Sequence, residues 1–364
     1  MWDGRPVRST GGGRDASSDT RCAQAIANGY RYRVISARVR LRRLAAGALL
    51  TLPFALSACS AADEGATSAP PPTSSDCPAA PVKVVVSVDQ WGDIVSQLGG
   101  QCATVTTIVA SSSVDPHDFE PAPRDAALFE AAQLVVLNGG HYDEWAVKLA
   151  ATSAPDAPVV NALEASGLGD QDHGHEHGPD DGHDHAGDTN PHVWYDPGAV
   201  TAVADNVTAE LKRLSPEAAD YFGERRSAFA ASLTSYDEQI ASIKAGASGK
   251  TYAATESVFD DMAAAVGLQN RTPEGYQAAS ANETEPSPAD LDAFLRLLGD
   301  RGVDVLIYNT QTEGSVPEQI RSAAEDAGVP VVEVTETLPP DAESFQTWQM
   351  SQLRSLAGAL GVSD

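Results

Sequence analysis

The histidines of this chain are concentrated in one part of the sequence. All eight lie between positions 117 and 192, and none occurs before or after that stretch. Neutral imidazole is the commonest metal ligand in proteins, and carboxylates complete the coordination of hard or borderline cations. The clustering therefore indicates binding of a metal ion.

Two of these histidines lie in frames of proline and acidic residues. His117 occurs in the segment VDPHDFEP and His192 in the segment NPHVWYDP. Proline fixes the local backbone, so both imidazoles are presented with little conformational freedom. A structural hydrogen bond is the alternative role for any single histidine, but two such frames favour fixed metal ligands.

Five other histidines lie in the segment 169–189, which also contains seven acidic residues and no lysine or arginine. These histidines are His173, His175, His177, His183 and His185. A segment without core-forming residues predicts a disordered surface loop. Ordering such a loop around a metal ion costs conformational entropy, which favours weak binding of several metal ions over one defined site. An acidic linker without a role in metal binding is the alternative.

The elements that must position these residues follow an α/β pattern. Short β-branched runs alternate with amphipathic segments over 83–138 and again over 252–334, which predicts two α/β lobes with parallel sheets. Helix-forming sequence fills 196–250, with a break at Ser215 and Pro216. We therefore predict an N-terminal lobe over 79–215, one rigid linking helix over 216–249 and a C-terminal lobe over 250–364. His117 then follows the second strand, at the sheet edge where ligands of open α/β sheets bind.

Residues 1–58 differ in composition from the rest of the chain. They hold ten of the 24 basic residues but only three of the 51 acidic ones, and arginines precede a short apolar run at 44–56. This pattern predicts an export signal rather than a membrane span. The stretch before about Val34 lacks that pattern, which suggests a translation start placed too early in this sequence. The following sequence LSAC resembles a bacterial lipobox, which predicts lipidation of Cys59 and a flexible tether over 59–78.

Charge and cysteine content narrow the class of protein further. The formal charge is −27, and without residues 1–58 the chain has 14 basic and 48 acidic residues, or −34. That balance argues against a nucleic-acid partner and favours a cation as the partner.

Cys77 and Cys102 each precede a strand-like run, so parallel neighbouring strands would bring them within reach of a disulfide. Two unpaired buried thiols are the alternative.

Taken together, these segments resemble the zinc and manganese solute-binding lipoproteins of bacterial ABC importers, the cluster A-I family. The resemblance spans about 80–362. It rests on the two histidine frames, the histidine-rich insertion and the segments LNG at 137–139, EW at 144–145, TE at 255–256, YNTQ at 308–311 and 331–339.

The resemblance implies a fold and a set of ligands. The fold has two α/β lobes joined by a long rigid helix, and one metal ion lies in the cleft between them. By position in the motifs, the ligands would be His117, His192, Glu256 and Glu336. Glu256 has an alternative role as an acid at a helix N-terminus, and Glu333 could replace Glu336 if the register slips. Two imidazoles and two carboxylates suit manganese as well as zinc, whereas the histidine-rich loop favours Zn²⁺ over Mn²⁺.

The resemblance also implies a function. The chain would be a monomer anchored by lipid to the outer face of the cell membrane, where it captures a divalent metal ion and delivers it to the permease subunit of an ABC importer. A surface adhesin or metal store without transport is one alternative. A secreted zinc hydrolase is another, but it would need an open metal position and a general base, and the sequence has no HExxH motif.

Overall fold

A computed structural model describes residues 77–110, 117, 119–168, 189–282, 284–312 and 314–362. The predicted signal, Cys59 and the five histidines of the 169–189 loop lie outside these residues. The strands are β1 (Val82–Val88), β2 (Ala103–Val109), β3 (Leu134–Leu137), β4 (Val159–Asn161), β5 (Thr251–Ala254), β6 (Gln269–Asn270), β7 (Val305–Asn309) and β8 (Val331–Val334).

The helices lie between and after these strands. They are α1 (Asp89–Gly99), α2 (Pro123–Glu130), α3 (Glu144–Ser153), α4 (Ala162–Ser166), α5 (Pro197–Leu214), α6 (Ala219–Ser232), α7 (Thr234–Gly246), α8 (Asp260–Ala265), α9 (Glu274–Ala281), α10 (Pro288–Gly299), α11 (Ser315–Ala327) and α12 (Phe345–Leu360). Within the described part of the chain, no helix combines the length and apolarity needed to cross a membrane.

The strands form two parallel four-stranded sheets with the same connectivity. The first sheet has the order β2-β1-β3-β4 and the second has the order β6-β5-β7-β8. All pairings are parallel. The predicted fold of two α/β lobes with parallel sheets is confirmed, and the carboxyl ends of each set of strands lie at one edge of each sheet.

Alternation along β7 shows how the second sheet is buried on both faces. Val305 and Ile307 join the large core that also contains the first sheet, whereas Leu306 faces a smaller core with α10 and α11. The sequence of a strand that is covered on both faces is a continuous apolar run, without alternation of apolar and polar residues. This explains why the strand was recognisable in the sequence.

The linking segment differs from the single helix that the sequence predicts. A short 3₁₀ turn over Pro216–Ala218 precedes α6, and Leu233 separates α6 from α7. The hydroxyl groups of Ser232 and Thr234 donate to the carbonyls of Phe229 and Ala231 on either side of this break. Such side-chain bonds to the backbone compete with the helical ladder and bend helices.

The large core is continuous through both lobes. It contains buried side chains of β1, β3, α5, α7, β5, β7 and α12. The helix α12, which the sequence analysis did not assign, contacts β8, α7 and α1. Both sheets are therefore attached to one body of helices, which holds their carboxyl edges in place relative to each other.

The first sheet is also fixed covalently at its start. A disulfide joins Cys77 to Cys102, with 5.0 Å between the Cα atoms. Val82 of β1 is in register with Ala103 of β2, so the two cysteines precede paired ends of neighbouring parallel strands.

Candidate metal centre

Three of the four expected ligands converge at the carboxyl edges of the two sheets. Each of His117, His192 and Glu336 offers one ligand atom, and these atoms all lie within 4.8 Å of one another. His117 and His192 come from the first lobe, and Glu336 comes from the loop after β8 in the second lobe. The cluster therefore lies where the lobes meet.

His192 is held as a neutral imidazole with one nitrogen directed into this cluster. The side chain is 6% exposed, and its Nδ1 lies 2.7 Å from the Oδ1 atom of Asn190. Its buried Nε2 has no hydrogen-bond partner and lies 3.9 Å from Oε2 of Glu336. Burial, followed by the charge of His117, lowers the pKa of His192 to about 3. A neutral imidazole with a free lone pair is the form that coordinates metals.

Aromatic rings enclose the two imidazoles. The ring of His117 packs edge-on against Tyr142 with centroids 4.7 Å apart, and His192 packs in the same way against Trp194 at 5.2 Å. Tyr142 and Trp194 are fully buried and touch each other. Burial raises the pKa of Tyr142 well above its ordinary value, so it remains a neutral phenol. The rings thus exclude water from one side of the candidate site.

The end of β3 holds the loop that carries His192. Asn138, the residue after β3, donates from Nδ2 to the carbonyl of Pro191 at 2.8 Å and accepts from the indole of Trp91 at 2.9 Å. Its backbone N–H donates to the buried carboxyl of Asp143. These bonds explain why the LNG segment accompanies the histidine frames.

In the second lobe, one asparagine connects the two expected carboxylate ligands. Asn309 ends β7, and its Nδ2 donates to Oε2 of Glu256 at 2.5 Å and to Oε1 of Glu336 at 2.8 Å. Glu256 follows β5 and precedes a 3₁₀ turn, whereas Glu336 lies two residues beyond β8. Asn309 thus links Glu256 to Glu336, but Glu256 is outside the group of three described residues whose ligand atoms lie within 4.8 Å of one another.

Gln311 fixes the loop that carries Glu336. Its Oε1 accepts from the backbone N–H groups of Glu336 at 2.6 Å and Thr337 at 3.1 Å. The alternative ligand Glu333 lies within β8, where its carboxylate pairs with Arg321 at 2.7 Å. The register of β8 therefore directs Glu336, and not Glu333, to the cluster.

Three residues that orient the candidate ligands have roles that no pattern in the sequence predicts. These residues are Asn190, Asn309 and Gln311, and all three lie in motifs that carry the family resemblance.

His141 is outside the cluster of candidate ligands. It is exposed, and its Nδ1 lies 2.9 Å from a carboxylate oxygen of Glu144. The imidazoles of His117 and His192 and the carboxylate of Glu336 are donors of the kind that borderline divalent cations bind.

Comparisons with known proteins match most of the chain. The family model described as "Zinc-uptake complex component A periplasmic" matches residues 84–359. The chain is 24% identical over 261 residues to the zinc-binding protein AdcA of Streptococcus pyogenes serotype M3, an alignment that covers 68% of this chain and 49% of AdcA. The chain thus spans about half the length of that relative.

Two solved structures share the fold. The periplasmic zinc-binding protein TroA from Treponema pallidum superposes with a TM-score of 0.61 at 18% identity, covering 77% of this chain and 99% of TroA. The solute-binding protein FpvC from Pseudomonas aeruginosa, in complex with Mn²⁺, gives a TM-score of 0.61 at 20% identity and covers 77% and 98%. With the family model matching most of the chain, we conclude that the protein belongs to the family of periplasmic zinc-uptake complex component A.

Proposed function

We propose that this protein captures a divalent metal ion outside the cytoplasm and delivers it to the membrane permease of an ABC importer. The observation that carries the proposal is the convergence of His117, His192 and Glu336 within 4.8 Å, from two lobes. Glu256 would be the fourth ligand, since Asn309 holds it beside Glu336. The N-terminal lobe over 79–215 would supply the imidazoles, and the C-terminal lobe over 250–364 would supply the carboxylates.

Zinc is the favoured cargo, and manganese is the next. The family description and the name of AdcA both refer to zinc, whereas FpvC was solved with Mn²⁺. Two buried imidazoles favour the borderline ion zinc, and the two carboxylates are compatible with the harder ion manganese. The buried neutral His192 supports a nitrogen-containing site.

The remaining sequence features fit a tethered receptor. Lipidation of Cys59 would anchor a monomer to the outer face of the membrane, and the residues up to 78 would act as its tether. The five histidines of the 169–189 loop would bind metal ions weakly and raise their concentration near the cleft. Four protein ligands would leave no position for an activated water, so the role is binding rather than catalysis.

Replacement of both imidazoles tests this proposal. The double variant His117→Ala/His192→Ala should lose the tight zinc site in isothermal titration calorimetry but keep the weak sites attributed to the 169–189 loop. His141→Ala removes an exposed histidine of the same lobe and should retain full affinity. Unchanged affinity and stoichiometry in the double variant would show that the tight site is elsewhere.

A further inference from the structure

Asn309 occupies a central position between the two carboxylates. It is 2% exposed, and its single amide nitrogen donates to Glu256 and Glu336 at 2.5 and 2.8 Å. An amide nitrogen carries two N–H groups. Each carboxylate therefore receives one of them, and the donor capacity of the nitrogen is fully used.

The orientation of this amide is fixed by its other contacts. The Oδ1 atom of Asn309 accepts from the backbone N–H of Gln311 at 3.0 Å. The backbone N–H of Asn309 donates to Oγ1 of Thr255 at 3.2 Å. A flipped amide would direct its oxygen at two carboxylates and its nitrogen at an N–H donor. The nitrogen must therefore face the two carboxylates.

This arrangement divides the two oxygens of Glu336 between two partners. Oε1 accepts from Asn309, whereas Oε2 is the oxygen that lies 3.9 Å from Nε2 of His192. Hydrogen bonds to an ionised acceptor are among the strong ones in proteins. An oxygen held in this way is less available to a metal, so Asn309 opposes coordination of a metal through both oxygens of either glutamate.

We propose that Asn309 determines metal specificity, favouring Zn²⁺ over Mn²⁺ by limiting both glutamates to monodentate coordination. The inference rests on the proposed function of the site. One oxygen from each glutamate and one nitrogen from each histidine give four donors, the coordination number that zinc adopts in closed protein sites. Manganese favours octahedral, oxygen-rich sites, which would require the carboxylate oxygens that Asn309 holds.

The variant Asn309→Ala tests this role. Competition against a chromophoric chelator would give the Kd for Zn²⁺ and for Mn²⁺. The ratio Kd(Mn)/Kd(Zn) should fall about tenfold, or about 1.4 kcal/mol, because the charge-assisted hydrogen bonds that hold one oxygen of each glutamate are lost. The Co²⁺-loaded variant should also lose the intense d–d absorption of four-coordinate cobalt. The isosteric variant Asn309→Asp, which replaces the donors by an oxygen, should shift the ratio in the same direction.

A control separates this effect from general damage to the second lobe. Thr272 is buried and accepts from the backbone N–H of Ala254 at the end of β5. Thr272→Val should lower stability but leave the ratio and the cobalt spectrum unchanged. An unchanged ratio and spectrum in both Asn309 variants would overturn the inference while leaving zinc capture intact, whereas a wild-type protein that binds neither metal would overturn the proposed function itself.

Discussion

Asn190 links one candidate ligand to the opposite lobe. Its Nδ2 lies 3.1 Å from the carbonyl of Ser257 and 3.4 Å from a carboxylate oxygen of Asp261, so two acceptors fix the orientation of the amide. Its Oδ1 therefore faces Nδ1 of His192 and accepts the ring proton. The tautomer that results has its lone pair on Nε2, toward Glu336.

We expect Asn190→Ala to weaken zinc binding by about 10- to 100-fold, the usual effect of removing a residue that orients a metal-binding histidine. Chelator competition at neutral pH would measure this change. Asn206 is exposed on α5, and its Nδ2 donates to the carbonyl of Ala202 in the same helix, so Asn206→Ala should bind zinc as the unmodified protein does. Equal affinity of the Asn190 variant would mean that the ring is oriented by its aromatic neighbours alone.

The candidate ligands could be found in the sequence, but the residues that orient them could not. Proline frames and family motifs identified His117 and His192, and the motif after the last strand identified Glu336 over Glu333. The bond from Asn309 to Glu256 joins residues 53 positions apart, and the bond from Asn190 to Ser257 joins residues 67 apart. Such pairings depend on how the strands are ordered, which a local pattern does not contain.

At the level of elements, the first turn of α8 holds two half-buried acids close together. Burial, followed by the charges of Asp196 and Asp260, raises the pKa of Asp261 to about 7. Burial likewise raises the pKa of Asp260 to about 6, despite a hydrogen bond from Tyr252 at 2.8 Å. An unfolded chain would release these protons near pH 4.

This difference predicts a pH dependence of stability in the metal-free protein. Between about pH 4 and pH 7 the folded state holds a proton on Asp261 that the unfolded state has released, so the free energy of unfolding falls as the pH rises through this window. Asp261→Asn should remove this loss and gain on the order of 1 kcal/mol at pH 8, with little change at pH 4.

Urea unfolding at pH 4 and pH 8 would measure the effect. The exposed residue Asp156 offers a matched control, because Asp156→Asn should change stability by the same small amount at both values. A gain from Asp261→Asn that is equal at pH 4 and pH 8 would contradict the assignment.

Patterns in the sequence predicted elements better than their interruptions. The strands Val305–Asn309 and Val331–Val334 lie in the part of the chain where the alternating pattern over 252–334 predicts strands, because buried parallel strands are continuous apolar runs between turn signals. The break at Leu233 was not predicted because neither proline nor glycine marks it, and the hydroxyl bonds of Ser232 and Thr234 that accompany it are visible only in the structure. The short strands β4 and β6 have three and two residues, which is too few to show a period.

For the whole molecule, the continuous core limits how far the lobes can move. Besides that core, Tyr195 donates to the carbonyl of Thr335 at 2.7 Å, and Asp89 accepts from the backbone N–H of Leu338 at 3.2 Å. Both bonds connect the first lobe to the loop that carries Glu336. Packed interiors of this kind resist gradual deformation.

We therefore expect metal binding to proceed without closure of the lobes. Ligand atoms within 4.8 Å need to approach only to about 3.3 Å, the separation that tetrahedral zinc with bonds of about 2.0 Å requires. Small-angle X-ray scattering should give the same radius of gyration for the metal-free and the zinc-loaded protein. A clear decrease on loading would indicate a hinge motion of the kind known in other periplasmic binding proteins.

The bond between Cys77 and Cys102 has a mechanical consequence for a protein held from its N-terminal side. Tension that arrives along the preceding segment reaches the starts of β1 and β2 together, because the covalent bridge joins them. Since β1 is interior to its sheet, extraction of that strand would load the ladders on both sides in shear rather than open them one bond at a time. In the proposed tethered form, the cleft at the far ends of the strands would thus keep its geometry under tension from the N-terminal side.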